Sequence, residues 1–312
     1  MAAAKCCRRL NTLKYGPPAG PFRPPNVKKR AVCRRQDQSV RPVVVIFAYL
    51  CATMSTILYP SPVFGPVKSR RLGVSLGINL MPADGKICTF DCLYCECGLN
   101  AQRRPAGRRP SRQAVAEGLE RKLRQMADDG LLPDVLTFAG NGEPTAHPDF
   151  AGIIDDTLAL RDRYCPQARV SVLSNGTRAA VPEVRAALLK VDNNIQKLDT
   201  VQPDYIARVD RPVGHYDVRQ VVEALCAFGG HVIVQTMFMA GTDDEGRSVD
   251  NTGPEFVGPW LEALCRIRPP QVMIYTIDRE TPSRGLLKAA PECLDAIAAR
   301  VKAAGLSVSV SY

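Results

Sequence analysis

Val135-Leu136-Thr137-Phe138-Ala139-Gly140-Asn141-Gly142-Glu143-Pro144 runs from a short apolar segment straight into a glycine-rich polar turn. A continuous apolar run of this length, bounded by turn residues, reads as a buried strand. Burial on both faces is the mark of a parallel sheet. The same pattern recurs at residues 74–80, 170–173, 195–198, 232–238 and 272–277. Helical periodicity fills the gaps. Val115, Leu119, Leu123 and Met126 share one face behind Ser111, a ready N-cap. Phe150, Ile153, Ile154 and Leu158 follow Pro148, and Val218, Val221, Val222, Leu225 and Phe228 follow Asp217. Phe256, Trp260, Leu261 and Leu264 follow Pro254, and Leu294, Ile297 and Val301 follow Pro291. Proline in a first turn is a start signal. Six strands, each followed by a helix, predict an α/β fold with a parallel sheet. A closed eight-unit barrel takes about 250 residues. Six units with long loops therefore predict a partial (β/α)6 barrel, with its chemistry where strands end and loops begin.

Charge separates the chain into two parts. The 312 residues carry a net charge of +10. Residues 1–53 hold eleven Lys or Arg and one acid, Asp37, so residues 54–312 are neutral overall. A basic chain suggests nucleic acid, but here the excess belongs to one segment, and the body gives no such signal. Residues 1–41 are rich in Arg, Lys and Pro without a hydrophobic period, which predicts a disordered basic extension. Residues 43–59 are uncharged, yet short and polar for a span that needs about 20 apolar residues. A signal peptide fits poorly, because the basic region is too long. The favoured reading starts translation at Met54, with 54–312 as the core domain; a membrane anchor and a cytosolic tail are the alternatives.

The chain has twelve cysteines, four of them at 88, 92, 95 and 97. Cys226, Cys265 and Cys293 sit singly in predicted helices, where buried free thiols are expected. This usage predicts a reducing, cytoplasmic setting. The first strand leads into Met81-Pro82-Ala83-Asp84-Gly85-Lys86-Ile87-Cys88-Thr89-Phe90-Asp91-Cys92-Leu93-Tyr94-Cys95-Glu96-Cys97. A four-iron cluster normally takes four cysteines. Three thiolates spaced C-x3-C-x2-C would hold three irons and leave one open. The rival is a structural zinc site completed by Cys97, although the paired C-x2-C knuckle usual for zinc is missing. A non-catalytic zinc or iron–sulfur protein stays open on these residues alone.

The C-x3-C-x2-C motif with Tyr94 before its last cysteine resembles the signature of the radical S-adenosylmethionine (SAM) superfamily. The resemblance continues through Gly140-Asn141-Gly142-Glu143-Pro144, similar to an element whose backbone receives the SAM amino group; Asn141 stands where the family often has glycine. Ser174-Asn175 resembles the strand end that meets the SAM ribose or carboxylate, and Lys197-Leu198-Asp199 is polar at the same level. The family's glycine-rich fifth-strand motif is not recognisable in 232–241. Residues 64–73 resemble the start of an iron–sulfur oxidoreductase subgroup distantly similar to wyosine-type transfer-RNA-modifying enzymes. The likeness covers roughly residues 60–280. It implies a radical SAM barrel, a [4Fe–4S] cluster on Cys88, Cys92 and Cys95, and SAM near Tyr94, Gly140, Asn141, Gly142, Glu143, Ser174, Asn175 and Asp199. It implies reductive cleavage of SAM to methionine and a 5′-deoxyadenosyl radical, with electrons from a donor such as flavodoxin or ferredoxin. The substrate is not implied, and transfer-RNA modification is the alternative within this chemistry. Around this centre, Tyr275, Asp278 and Arg279 are candidate substrate or adenine contacts, His147 a residue near the site or a helix-start residue, and Arg70 and Arg71 a possible anion site. For Cys97 the favoured reading is neither of its two alternatives, a spare ligand or a hydrogen-atom donor.

Overall fold

A computed structural model describes residues 56–69 and 73–312. The expectations for residues 1–53, for the start at Met54, for most of the apolar stretch at 43–59 and for Arg70 and Arg71 lie outside the described residues. Strand β1 (Val63–Ser69) runs antiparallel to β2 (Gly73–Ile78). After it come α1 (Arg112–Asp128), β3 (Val135–Phe138), α2 (Phe150–Tyr164), β4 (Arg169–Ser174), α3 (Pro182–Leu188) and β5 (Asn193–Lys197). The second half contains the short α4 (Pro203–Tyr205), α5 (Val218–Cys226), β6 (Ile233–Met237), β7 (Met239–Gly241), α6 (Pro254–Ile267), β8 (Gln271–Tyr275), β9 (Leu286–Lys288), α7 (Pro291–Ala303) and β10 (Val308–Ser311). The main sheet has the order β1-β2-β3-β4-β5-β6-β8-β10; β7 and β9 form a separate antiparallel ribbon.

From β2 onward every neighbour in the sheet is parallel. The order never reverses. Right-handed crossovers that always advance in one direction place their helices on one face. The other face is left to line an interior, as in an opened barrel. Alternation along the strands agrees with this. Leu76, Ile78, Leu136, Phe138, Val170, Val172, Val234 and Val272 join the helix residues Val115, Leu119, Leu123, Leu225, Leu264 and Leu294 in one core. The opposite face is mixed: Ser75 and Thr137 hydroxyls meet at 2.8 Å, and Ile195, Ile233 and Met273 form a small apolar patch.

All six expected parallel strands form, each within two residues of its expected start. Ser111 caps α1 through the Ala114 N–H, and Asp217 caps α5 through the Arg219 N–H. Two strands go beyond the expectation. In β10, Val308-Ser309-Val310-Ser311 alternates on a half-buried edge and lacks a continuous apolar run. In β1, Gly65 and Pro66 interrupt the strand pattern, and the register shifts between Phe64 and Val67 to accommodate them. The sheet is therefore seven parallel strands with one antiparallel edge, a larger version of the expected (β/α)6 unit. The expected burial of three helical thiols is corrected: Cys226 is half-buried and Cys265 and Cys293 are exposed, because the buried stripes of α6 and α7 run through Trp260, Leu264, Leu294 and Ile297. Among the described residues no helix is long and apolar enough to cross a membrane.

Candidate active site

The cysteine loop lies at the C-terminal ends of the parallel strands. Main-chain hydrogen bonds fasten it on two sides. On one side the Ile87 N–H donates to the Asn141 carbonyl (3.0 Å), and the Glu143 N–H donates to the Ile87 carbonyl (3.1 Å). This forms an isolated parallel bridge between Ile87 and Gly142, at the turn that ends β3. Gly142 has φ +140°, and a Cβ there would stand 1.8 Å from the Ile87 carbonyl oxygen. The glycine is thus required by the approach of the loop itself. On the other side α4 runs into a π-helical turn, Ile206–Asp210. The Leu93 N–H donates to the Val209 carbonyl (2.9 Å), and the Asp91 N–H is shared between the carbonyls of Asp210 and Arg211. Phe90 bridges to Pro212. Single π turns are frequent at functional sites.

The two tethers bring the three motif cysteines into one apolar cluster with Phe90, Leu93, Tyr94, Tyr205, Met237 and Tyr275. The Cys88 sulfur accepts from the Phe90 N–H (3.5 Å) and from Asn175 Nδ2 (3.7 Å). Burial and the charge of Glu143 push the Cys88 thiol up to about 12, and burial raises Cys92 well above its usual range. Cys95 differs. The neighbouring Cys97 side chain, outweighing burial, lowers its thiol to about 6, helped by Lys86. A metal ligand must be a thiolate, and Cys95 is the one of the three whose surroundings favour that form. Cys97 also lies 3.3 Å from the Gly140 carbonyl. It sits against the glycine turn as a neighbour of Cys95. Among the described residues no group of three or more His, Cys, Asp or Glu is arranged to hold a metal ion.

The polar strand ends predicted as cofactor contacts divide into two groups. Ser174, Asn175 and Glu143 form one network. Glu143 Oε1 accepts from the Thr145 N–H and hydroxyl (3.0 and 2.6 Å), and Oε2 accepts from the Asn175 N–H (2.7 Å). Burial raises the Glu143 carboxyl, opposed by these donors. Ser174 Oγ accepts from the Gly176 N–H, and Asn175 Nδ2 reaches Thr89 of the cysteine loop at 2.8 Å. Gly140 and Gly142 lie in the same turn. Asn141 is turned away: Oδ1 accepts from the Tyr59 N–H (2.7 Å), while Nδ2 donates to the Tyr59 and Pro82 carbonyls (2.9 and 2.8 Å). Its side chain joins the segment before β1 to the start of the loop at Pro82, and its backbone carbonyl meets Ile87.

The second group surrounds Tyr94. Its hydroxyl bonds Asp199 closely and approaches Asp210 Oδ1 at 3.2 Å. Lys197 contacts Tyr94 and Asp199, pairs with Asp210 at 2.8 Å, and stands 4.8 Å from the Tyr94 ring centroid. Asp199 Oδ1 also accepts from the Met237 N–H (2.9 Å). Burial opposes the Lys197 charge, but Asp199 and Asp210 outweigh it and hold the ammonium well above its usual range. Burial raises Asp210 to about 6, against the pull of Lys197. Two carboxylates, an ammonium and a phenol thus pack against the C-x2-C half of the motif. Lys197 was visible in sequence only as a polar strand end. Asp210 gave no sequence signal, because its π turn has no apolar period.

The remaining candidates are placed plainly. Tyr275 lies in the cysteine cluster. Arg279 instead clips the outside of the loop, donating to Glu96 (2.7 Å) and the Tyr59 hydroxyl (2.9 Å), and Asp278 lies 3.9 Å from Lys288. His147 is a helix-start residue: Nε2 is 2.8 Å from the Pro110 carbonyl, and Nδ1 accepts from the Asp149 N–H.

The chain belongs to the radical SAM superfamily, whose sequence profile matches residues 84–249. It is 30% identical over 225 residues to a UPF0026 protein of Helicobacter pylori, covering 70% of this chain and 67% of that one. It is 31% identical over 224 residues to a UPF0026 protein of Synechocystis, covering 70% and 77%. The chain thus spans about two thirds to three quarters of these relatives. Among solved structures, SuiB of Streptococcus suis bound to S-adenosylmethionine superposes with a TM-score of 0.54 at 12% identity, covering 76% of this chain and 50% of that one. A radical SAM methyltransferase from Sphaerobacter thermophilus gives 0.55 at 13% identity, covering 76% and 66%. At these identities the likeness is one of fold, a mostly parallel α/β sheet.

Proposed function

We propose that this chain is an enzyme that holds a [4Fe–4S] cluster on Cys88, Cys92 and Cys95 and cleaves SAM reductively. The observation that carries the reading is the position of the loop: three cysteines of one apolar cluster, pinned at the C-terminal rim of the sheet directly against the Gly142 turn. The donor set suits the group. Cys95 is disposed to ionise, and Cys88 is met by two N–H donors, the kind of contact that tunes cluster sulfurs. When bound, the cluster and SAM supply a one-electron reduction of the sulfonium that yields methionine and a 5′-deoxyadenosyl radical.

The chain's own residues do the rest. The Gly140–Gly142 turn and the Ser174–Asn175 strand end present backbone groups beside Cys88, positioned to orient SAM. Glu143 fixes that platform by tying the end of β3 to the end of β4. Tyr94, Met237 and Tyr275 cover the loop with apolar surface and exclude water, and the cofactors carry the hard chemistry. Asp199 and Lys197 hold the Tyr94 hydroxyl in place. We place the reaction in the cytosol, with a small reduced electron carrier as donor, a setting supported by the eight free cysteines among the described residues. The class is oxidoreductase or lyase. Anaerobic reconstitution followed by reduction with SAM tests the reading. Wild type yields 5′-deoxyadenosine and Cys92→Ala yields none; protein that takes up zinc without sulfide refutes it.

A further inference from the structure

Lys86 is a fully buried lysine, 3% exposed, two residues before the first motif cysteine. Its ammonium donates to the Gly98 carbonyl at 2.8 Å. It also interacts with the Cys95 side chain and lies within electrostatic range of Cys88 and Cys92. The nearest carboxylate oxygen, on Asp91, is 3.8 Å away. That carboxylate is already engaged: Oδ1 accepts from the Asn100 N–H (2.7 Å), and Oδ2 pairs with Arg211 at 3.4 Å. Two cations therefore share one carboxylate, and a positive charge is left facing the sulfurs. An ammonium withdrawn from water costs several kcal/mol unless an anion answers it. The sulfurs of the loop answer it when they are thiolates.

We infer that Lys86 is a positioning residue that supplies the fixed counter-charge of the cysteine loop and thereby sets the reduction potential of the cluster held there. The inference rests on the proposed cluster site and adds a residue outside the cysteine motif. One electron from an external one-electron reductant makes the cluster with its three thiolates more negative by one charge, with no bond made or broken. A buried cation beside the sulfurs stabilises the reduced form more than the oxidised one. Net charge and hydrogen bonds to the sulfurs are the protein's levers on cluster potential. The lysine reaches the cluster through Cys95 and Gly98, so it has no role as a ligand.

The test compares reconstituted wild type with Lys86→Met, Lys86→Gln and Lys86→Arg in a redox titration followed by the electron paramagnetic resonance signal of the reduced cluster. Gln keeps a donor for the Gly98 carbonyl and loses the charge; Arg keeps the charge. Met and Gln are expected to lower the equilibrium constant for reduction about tenfold, or about 59 mV more negative for one electron, with Arg close to wild type. If both neutral variants fail to load iron and sulfide while Arg loads, the counter-charge assignment stands. Loading with an unchanged potential in Met and Gln overturns it, as does loss of loading in all three. Wild type that takes up no cluster overturns the site reading itself, a result distinct from either.

Discussion

Replacing Gly142 by alanine should detach the cysteine loop. The added Cβ would lie 1.8 Å from the Ile87 carbonyl oxygen, where 3.0 Å is already closer than real Cβ atoms come, so the two chains must part by at least 1.2 Å. That movement breaks the two hydrogen bonds between Ile87 and the 141–143 turn, each worth about 1 kcal/mol net. Holding alanine at φ +140° adds about 1–3 kcal/mol of backbone strain. The expected loss is about 3–5 kcal/mol. At about 2–4 °C per kcal/mol for a domain of this size, the apo-protein should melt about 10 °C lower. Gly130→Ala is the control: its φ is +68°, and nothing lies within 4 Å of the new Cβ, so it carries strain without a collision. Thermal denaturation of both variants, with iron and sulfide counted after reconstitution, decides the matter. A Gly142→Ala protein that melts within about 2 °C of Gly130→Ala and loads a full cluster would refute the tether.

Asn141→Ala removes three hydrogen bonds to Tyr59 and Pro82, and should cost about 2–4 kcal/mol in denaturant unfolding. SAM affinity of the folded fraction should stay within about threefold; a large affinity loss at unchanged stability would instead make the side chain a ligand. Asp210 binds its proton more tightly in the fold than in the unfolded chain, being raised from 3.8 to about 6 by burial. Its contribution is therefore present below pH 3.8 and lost as pH rises toward 6. Relative to Asp210→Asn, wild type should lose stability across that window in a pH series of melting curves; parallel curves for the two proteins would contradict the assignment.

Much of the architecture could be read from the chain because buried parallel strands advertise themselves. Residues 135–138 and 233–237 are mostly apolar and fully buried, and Ser111 and Asp217 cap their helices as their positions predict. The edges were less legible. An edge strand is not buried on both faces, so β1 tolerates Gly65 and Pro66 and β10 alternates Val with Ser. At the site, the cysteine spacing and the Glu143 turn were plain. Asn141 was legible only as standing in the place of a family glycine, because the partners of its side chain, Tyr59 and Pro82, are 82 and 59 residues distant. Lys86 and Asp210 were hidden for a related reason. Each is a charged residue in an irregular segment, and only the folded chain shows that its surroundings are dry.

The loop that carries the cysteines is held by peptide groups, at Ile87 on one flank and at Asp91 and Leu93 on the other. Every amino acid but proline brings the same N–H and carbonyl, so these tethers are insulated from most side-chain exchange along 87–93 and 206–213. Side chains around the loop can change while the placement of the three sulfurs stays put. Gly142 has no such freedom, since its one essential property is to have no side chain.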